Sequence, residues 1–345
     1  MIDLRSDTVT RPTKAMLRAM TRARVGDDVF RDDPTVRELE ELAAEFLGQP
    51  AAIFMPSGTM ANVAALKAWT QPGDAVIADR RSHTVRYEVG GGAVICGLMF
   101  DTVDMPDGIL TAAAVRGAVR KADVHQPISR LVQIENTHNL AGGICYTVAR
   151  VREMRKLTKE LGLVLHMDGA RLANAAVAQG VKPAEYGRLC DSVTQCLSKG
   201  LGCPVGTVLG GPAEFIERAR RARKMLGGGM RQAGYLAAAG VYALRNNVER
   251  LAEDHANARA LAEGLAAIPG IEVNLDSVQT NLVFFRIKAG PERAQALLAQ
   301  LKARGVLISL LGPDLARAVT HLDVTRRDVD RALAAVRKAM GGGKA

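Results

Sequence analysis

Short apolar runs alternate with longer segments of helical period, and this alternation constrains the fold more than any other feature. The apolar runs lie at 51–55, 75–78, 131–135, 163–168, 192–197 and 205–209. Between them, segments such as 60–69 and 148–161 place apolar residues on one helical face. Strands separated by crossover-length helices form a mainly parallel sheet that is buried on both faces. We therefore predict an α/β fold with its ligand groups at the carboxyl ends of the strands.

The pattern changes from Asn247 onward. The sequence predicts a charged amphipathic helix followed by strands and helices over 248–268, 281–287, 291–304, 306–308, 318–322 and 326–340. We predict a large domain over 1–246, which includes the N-terminal arm, and a smaller α+β domain over 247–345. The last residues, 341–345, are expected to fray.

Size and composition are those of a globular protein. The chain has 345 residues, of which 48% are hydrophobic and 24% are charged, which excludes a disordered chain, a collagen and a coiled coil. We find neither a signal peptide nor an apolar run long enough to span a membrane. The five cysteines form no CxxC pair, and Cys190 and Cys196, which stand six apart, have no nearby histidines. We therefore expect reduced thiols, a cytoplasmic location and no metal site.

Basic residues are in excess, and the formal net charge is +10. Such an excess favours polyanions or small anionic ligands. One dense cluster lies at 218–224, without interleaved aromatic residues. Either it belongs to a nucleic-acid-binding protein or it is a solvated helix face. Because no nucleic-acid-binding module is recognisable, we expect no nucleic-acid partner.

Two polar residues that follow buried strands are candidates for chemistry. Lys199 comes directly after the strand at 192–197, and Asp168 ends the strand at 163–168. A buried lysine is costly unless it is neutral or covalently engaged, and a neutral lysine reacts with carbonyl compounds. A carboxylate facing a pyridine nitrogen keeps that nitrogen protonated. The alternatives are a lysine that reaches solvent and an aspartate that caps the next helix.

Two further features complete a ligand site. The turn at 57–59 stands between a strand and a helix, where N–H groups and hydroxyls bind phosphate, although many tight turns have this composition. His83 lies after a strand, where its ring either stacks on a ligand or belongs to a surface loop. With Lys199 and Asp168, these features describe a pyridine aldehyde that carries a phosphate. The compound that fits is pyridoxal 5′-phosphate.

Long motifs carry a family resemblance from residue 2 to about residue 323. They lie at 2–10, 25–29, 52–59, 135–139, 167–172, 196–202, 227–232 and 319–323. On these motifs the chain resembles the low-specificity L-threonine aldolases, which are fold-type I pyridoxal-phosphate enzymes. The resemblance implies cleavage of L-threonine and L-allo-threonine to glycine and acetaldehyde, in glycine biosynthesis and threonine catabolism. It also implies a homotetramer, a dimer of dimers with active sites at the dimer interface.

The resemblance assigns a role to each matching residue. Lys199 is expected to hold the cofactor covalently, Asp168 to pair with its pyridinium nitrogen and His83 to cover its ring. The remaining cofactor contacts are expected from Ser57, Gly58, Thr59, Arg171, Ser198 and, from a neighbouring subunit, Arg231. The substrate contacts are expected from Ser6, His83, His125, Arg171 and Arg317, with His83 and His125 near the β-hydroxyl.

Some positions near the expected pocket depart from the family pattern. Phe30 stands where the family often has tyrosine, residues 140–143 resemble only some branches, and Thr84 and Val85 replace larger side chains. A methyl group in a roomy pocket contributes only about 1–3 kcal/mol of discrimination. We therefore expect both L-diastereomers to be cleaved, with the allo form favoured by no more than about a hundredfold, and D-isomers to be rejected.

Other enzymes of the same fold are the alternative. An aminotransferase, a β-eliminating lyase or a serine hydroxymethyltransferase would share the cofactor residues. The hydroxymethyltransferase would need a folate site, for which the sequence has no extra segment. Turnover of threonine without folate or a keto acid separates these possibilities.

Overall fold

The computed structural model describes residues 1–341. Its strands are β1 Ile2–Asp3, β2 Ala51–Met55, β3 Asp74–Asp79, β4 Met99–Val103, β5 Ile128–Glu135, β6 Val164–Asp168, β7 Ser192–Cys196, β8 Thr207–Gly211, β9 Ile271–Glu272, β10 Leu282–Ile287, β11 Val306–Leu307, β12 Ser309–Leu310 and β13 Leu315–Val319. Its helices are α1 Lys14–Thr21, α2 Pro34–Leu47, α3 Gly58–Trp69, α4 His83–Arg86, α5 Gly91–Cys96, α6 Ala112–Ala118, α7 Val148–Leu161, α8 Leu172–Gln179, α9 Pro183–Gly187, α10 Ala213–Met225, α11 Gly234–Asn246, α12 Leu251–Ala266, α13 Pro291–Ala303 and α14 Arg326–Gly341.

The large central sheet confirms the predicted fold class. Its strand order is β2-β8-β7-β6-β5-β3-β4. The pairs β7–β6, β6–β5, β5–β3 and β3–β4 are parallel, and β8 is antiparallel to both of its neighbours. All parallel strands therefore end at one edge of the sheet, which is the edge predicted to carry the ligand groups.

Helices cover both faces of this sheet, which is why its strands are apolar on both sides. Successive side chains of a strand point to opposite faces. In β2, Phe54 packs into the cluster that includes residues of α2 and α11. Its neighbours Ile53 and Met55 pack into the opposite cluster, with residues of α3 and α10. Both faces of the sheet are thus shielded from solvent, as is typical of a parallel sheet.

The C-terminal part forms a second layer with its own core. The antiparallel strands β12-β13-β10-β9 pack with α12, α13 and α14. Strand β1 of the N-terminal arm pairs in parallel with β11, so Ile2 and Leu4 are buried in this second core. The arm, assigned above to the large domain, therefore also joins the C-terminal part. The division between residues 246 and 247 remains a prediction.

Several boundaries differ from the sequence prediction. Strand β8 covers 207–211 rather than 205–209, because Gly206 adopts a φ of 109° that interrupts an extended strand. Strand β13 covers 315–319 rather than 318–322, and the half-buried edge strand β4 was not predicted. Helix α14 ends at Gly341, and the rest of the segment expected to fray lies outside the described residues. No helix within residues 1–341 is long and apolar enough to cross a membrane.

Candidate functional site

The predicted site residues converge at the carboxyl edge of the central sheet. Asp168 ends β6, and Lys199 follows β7. His83 opens α4 after β3. The thiol of Cys196, at the end of β7, lies close to all three of Lys199, Asp168 and Arg171. Burial raises the pKa of this thiol, and the three charges therefore also shift that pKa. The structure therefore brings together residues that are far apart in sequence.

A chain of short hydrogen bonds leads from Asp168 to His83. The Asn62 amide nitrogen donates to Asp168 Oδ2 at 2.8 Å and to Glu88 Oε1 at 2.8 Å. The same Glu88 oxygen lies 2.8 Å from His83 Nδ1. Burial acts to lower the pKa of His83, but the bond to Glu88 and the charges of Asp168, Glu88 and Glu135 outweigh it and raise this pKa. His83 is therefore a stronger base than a free imidazole.

A buried ion pair anchors the N-terminal arm in the site. Arg171 donates through Nε and Nη2 to the two carboxylate oxygens of Asp7, each at 2.7 Å. Asn281 of the C-terminal part donates to the same carboxylate at 3.1 Å. Burial would raise the pKa of Asp7, but the bonds to Arg171 and the charge of Lys199 hold it below its usual range. Asp7 is thus a fixed negative charge beside Lys199.

Arg317 is the second cationic side chain near the site. Its Nη1 donates to Asn139 Oδ1 at 3.0 Å, and its Nη2 donates to the carbonyl of Arg5 at 3.1 Å, next to Ser6. Its buried Nε has no hydrogen-bond partner among residues 1–341. Burial and the charge of Arg171 lower the pKa of Arg317. Two cationic side chains therefore face the same region, where an anionic group would be stabilised.

The N-terminus of α3 packs against the end of β7. The Ser57 hydroxyl caps this helix by accepting from the backbone N–H of Met60 at 3.2 Å. A side chain at Gly58 would meet Cys196 Sγ at 2.9 Å, which places this turn directly against the end of β7. Ser57 and Thr59 are exposed, while Gly58 and Ser198 are half-buried. A helix N-terminus at this place offers N–H groups to a phosphate.

The cluster fits the expected cofactor on two observations. The amine of Lys199 forms no hydrogen bond or ion pair with any residue of 1–341, although the side chain is half-buried. The carboxylate of Asp168 accepts one bond at each oxygen, from Asn62 and from the backbone of Ala170. A carboxylate has about four acceptor positions, so capacity remains for a pyridinium N–H. A free amine, an available carboxylate and a helix N-terminus match an aldehyde, a ring nitrogen and a phosphate.

Two predicted site residues, His125 and Arg231, form no hydrogen bond or ion pair with this cluster within residues 1–341. His125 is exposed on the loop before β5, whereas the site lies at the carboxyl end of that strand. An eight-residue strand spans roughly 25 Å. Arg231 is also exposed, and it pairs with Asp27 at 3.0 Å. His125 does not reach the site of its own chain, and the roles of both residues remain predictions.

Three buried partners in the site were not singled out from the sequence: Asp7, Asn62 and Glu88. Asp7 lies within the arm motif at 2–10, and its acidic character beside Ser6 was a usable signal. Glu88 lies five residues after His83, just beyond the end of α4, and its acidic character close to a candidate histidine was also a usable signal. Asn62 gave no such signal, because only the packing of α3 on β6 brings it to Asp168.

Other features of the sequence have structural explanations. His83, Glu88 and Asp168 place possible metal ligands within 4.8 Å of one another, and the bonds through Asn62 account for that closeness. In the basic cluster, Arg223 is buried against Asp28, and Arg218 donates to the Ala68 carbonyl. Much of that cluster therefore holds α10 in place. Thr84 is buried beside Ser82.

Comparison with known proteins gives consistent results. The family model described as beta-eliminating lyase matches residues 3–288. The low specificity L-threonine aldolase of Escherichia coli strain K12 is 48% identical over 330 residues, which cover 95% of this chain and 96% of that protein. The low-specificity L-threonine aldolase 1 of Arabidopsis thaliana is 43% identical over 98% of this chain and 96% of its own length. A solved structure of Leishmania major threonine aldolase, 24% identical, superposes with a TM-score of 0.85 and covers 99% of this chain and 100% of that chain.

Proposed function

This chain belongs to the beta-eliminating lyase family and to the low-specificity L-threonine aldolases, and from that premise we propose how its site cleaves threonine. The enzyme is a lyase that splits L-threonine and L-allo-threonine into glycine and acetaldehyde, with pyridoxal 5′-phosphate as its cofactor. The single observation that carries this assignment to the site is the amine of Lys199, which has no partner within residues 1–341 and lies near Asp168.

The cofactor, when bound, supplies an electron sink for the bond that breaks between the α- and β-carbons. We propose that Lys199 holds it covalently and that Asp168 keeps its ring nitrogen protonated. His83 is linked to Asp168 by hydrogen bonds through Glu88 and Asn62, and we propose that it covers the ring. The α3 N-terminus at Ser57, Gly58 and Thr59, together with Ser198, offers donors to the phosphate.

The two arginines orient the substrate by its carboxylate. Arg171 uses Nε and Nη2 on Asp7, so its Nη1 remains for the substrate, while the buried Nε of Arg317 has no partner among residues 1–341. Ser6 lies beside the arm carbonyl that Arg317 holds. Fixing the carboxylate and the amine sets which bond at the α-carbon faces the ring, so D-isomers present the wrong bond. This is the basis of selectivity for L-amino acids.

The candidates for taking the β-hydroxyl proton are His83, His125 and a water held between them, and we propose His83 as the one that this chain supplies. The bond from its Nδ1 to Glu88 leaves Nε2 as the basic nitrogen. Because the pKa of His83 is raised, activity should rise with pH through a value above that of an ordinary histidine. A role for His125 requires that it be supplied by another subunit.

The assembly proposed from the sequence is a homotetramer with shared active sites. Its support is Arg231, whose side chain is exposed on the surface of this chain and is available to a second copy. Exposed apolar side chains near the same surface, Phe30 at 76% and Met225 at 67%, also suit contact with a second copy.

A cytoplasmic location, with a role in glycine synthesis and threonine breakdown, is part of the same proposal. It is supported by five free, buried cysteines.

The test is release of glycine and acetaldehyde from the four stereoisomers of threonine. We expect cleavage of both L-forms, without folate or a keto acid, and with L-allo-threonine favoured by no more than about a hundredfold in kcat/KM. D-threonine should be cleaved at background level. Efficient cleavage of D-threonine, or complete rejection of one L-form, would overturn this account of substrate orientation. Dependence on an added keto acid would instead indicate an aminotransferase.

A further inference from the structure

The bond between His83 and Glu88 defines a chemical role for a residue outside the expected set. Glu88 is 3% exposed and accepts from two sides, from Asn62 and from His83 Nδ1. We propose that Glu88 is a positioning residue that keeps the proton of neutral His83 on Nδ1 and leaves Nε2 as the site's base. The consequence for catalysis rests on the proposed function, whereas the assignment of the proton does not.

The geometry fixes the donor and acceptor in this bond. An ionised carboxylate only accepts hydrogen bonds, so the ring nitrogen that lies 2.8 Å from Glu88 Oε1 carries the proton. The Asn62 side chain gives the same result. Both of its amide hydrogens are used by the carboxylates of Glu88 and Asp168, and its own oxygen is buried without a partner among residues 1–341. An amide in this orientation matches two ionised neighbours.

The position of the imidazole is fixed from a second direction. The backbone N–H of His83 donates to Glu135 Oε2 at 2.7 Å. The other oxygen of Glu135 accepts from the backbone of Asn139, whose side chain holds Arg317. One carboxylate thus holds the His83 backbone while another holds its ring. The base and the substrate-binding arginine are thereby linked through short hydrogen bonds.

The charges around His83 predict how a substitution of Glu88 would change the basicity of the imidazole. The charged groups that face His83 are Glu88, Asp168 and Glu135, and the ring of Tyr87 lies at a centroid distance of 5.7 Å. Glu88 itself faces Asp168 and His83. Burial and the charge of Asp168 raise the pKa of Glu88, while the bonds from His83 and Asn62 oppose that rise. Removal of the Glu88 charge should therefore make His83 a weaker base.

The test is nitrogen magnetic resonance of the holoenzyme labelled with ¹⁵N-histidine. Nitrogen shifts distinguish a protonated from an unprotonated ring nitrogen, and the His83→Gln variant identifies the His83 signals. In the wild-type enzyme we expect neutral His83 to carry its proton on Nδ1. In Glu88→Gln we expect the His83 pKa to fall by about one unit, roughly tenfold weaker proton binding, and the preference for Nδ1 to weaken. Glu160→Gln is the control, because Glu160 forms an exposed pair with Arg116.

Kinetics supply the second readout. In Glu88→Gln the acidic limb of kcat should move to lower pH and the maximal kcat should fall about 10- to 100-fold, with KM changed less. A proton on Nε2 of neutral wild-type His83 would overturn the proposal whether or not the variant folds. An unchanged His83 titration in folded Glu88→Gln would also overturn it. A wild-type enzyme with the expected tautomer but no threonine cleavage would contradict the proposed function and leave the role of Glu88 standing.

Discussion

At the scale of single residues, the pair of Asp7 and Arg171 connects the arm to the site. Both side chains are almost completely buried, at 0% and 4% exposure. Removal of one partner from such a pair leaves an uncompensated charge in a low-dielectric interior. The pair therefore sets the position of Arg171 and also contributes to the stability of the fold.

We predict that Asp7→Asn lowers the free energy of unfolding at pH 7 by about 3–5 kcal/mol, because Arg171 stays buried without its counter-charge. Urea unfolding measures this change. Asp3→Asn is the control, since Asp3 pairs with half-exposed Arg5, and it should cost at most about 1 kcal/mol. A loss for Asp7→Asn as small as that of the control would contradict the anchoring role.

The same pair predicts how stability depends on pH. Because the folded-state pKa of Asp7 is lowered, its contribution is present above the unfolded pKa of about 4 and is lost as pH falls toward the folded value. The difference in stability between wild type and Asp7→Asn should therefore narrow between about pH 5 and about pH 2. A difference that stays constant over this range would show that the carboxylate charge is not what stabilises the pair.

The residues proposed to carry chemistry were more predictable than the residues that hold them in position. Lys199 and Asp168 follow apolar strands, so their positions could be inferred from the strand pattern and the family motifs. Glu88 and Asn62 act through hydrogen bonds to residues on other elements. Such partners depend on how α3 and α4 pack over the sheet, which the periodicity of one segment does not specify.

At the scale of elements, buried strands and amphipathic helices were predictable, while the bounds of glycine-rich β8 and the presence of exposed β4 were not. Helix α7 has its predicted bounds, Val148–Leu161. Strand β8 ends in two glycines, a residue type that is typical of turns. A side chain at Gly210 would lie 3.0 Å from Leu47 Cδ1, so there is little space for one. Close packing of α2 therefore explains a small residue inside this strand. Edge strand β4 is half-exposed and lacks the apolar run that identified the others.

The start of α3 provides a test at this scale. In Gly58→Ala the added methyl group would meet Cys196 Sγ at 2.9 Å, which should separate the helix N-terminus from the end of β7. We predict about tenfold weaker binding of pyridoxal phosphate, equivalent to about 1.4 kcal/mol, measured by absorbance titration. Gly117→Ala in α6 is the matched control, because nothing lies within 4 Å of the added methyl. Equal cofactor affinity in both variants would contradict the proposed phosphate site.

At the scale of the whole molecule, the site joins three parts of the chain. Asp7 of the arm binds Arg171, which follows β6 of the large sheet, and Asn281 of the C-terminal part. Arg317 of the C-terminal part in turn binds Asn139 after β5. The strand pattern indicated a site at the sheet edge, but it could not show that the arm reaches both parts. That arrangement depends on the pairing of β1 with β11, two strands that are about 300 residues apart in sequence.

The proposed shared site predicts recovery of activity in mixed assemblies. Lys199→Ala and Arg231→Ala subunits should each be inactive, and mixing them should restore up to about a quarter of wild-type activity, since half of random dimers contain one intact site. Lys199→Ala mixed with Asp168→Asn is the control and should restore nothing, because both residues belong to one chain's cluster. Absence of recovery after verified subunit exchange would show that Arg231 does not act across an interface.

The central claim is that Lys199 is the residue that holds the cofactor, and one measurement tests it most directly. Borohydride reduction of the holoenzyme makes the carbon–nitrogen link permanent, and peptide mapping by mass spectrometry then locates the pyridoxyl group. Lys67→Arg is the control, since the amine of Lys67 already donates to the Ile95 carbonyl, and it should be labelled like the wild type. We predict a single label on Lys199 and none in Lys199→Ala. A label on another lysine of the wild-type enzyme would contradict the account.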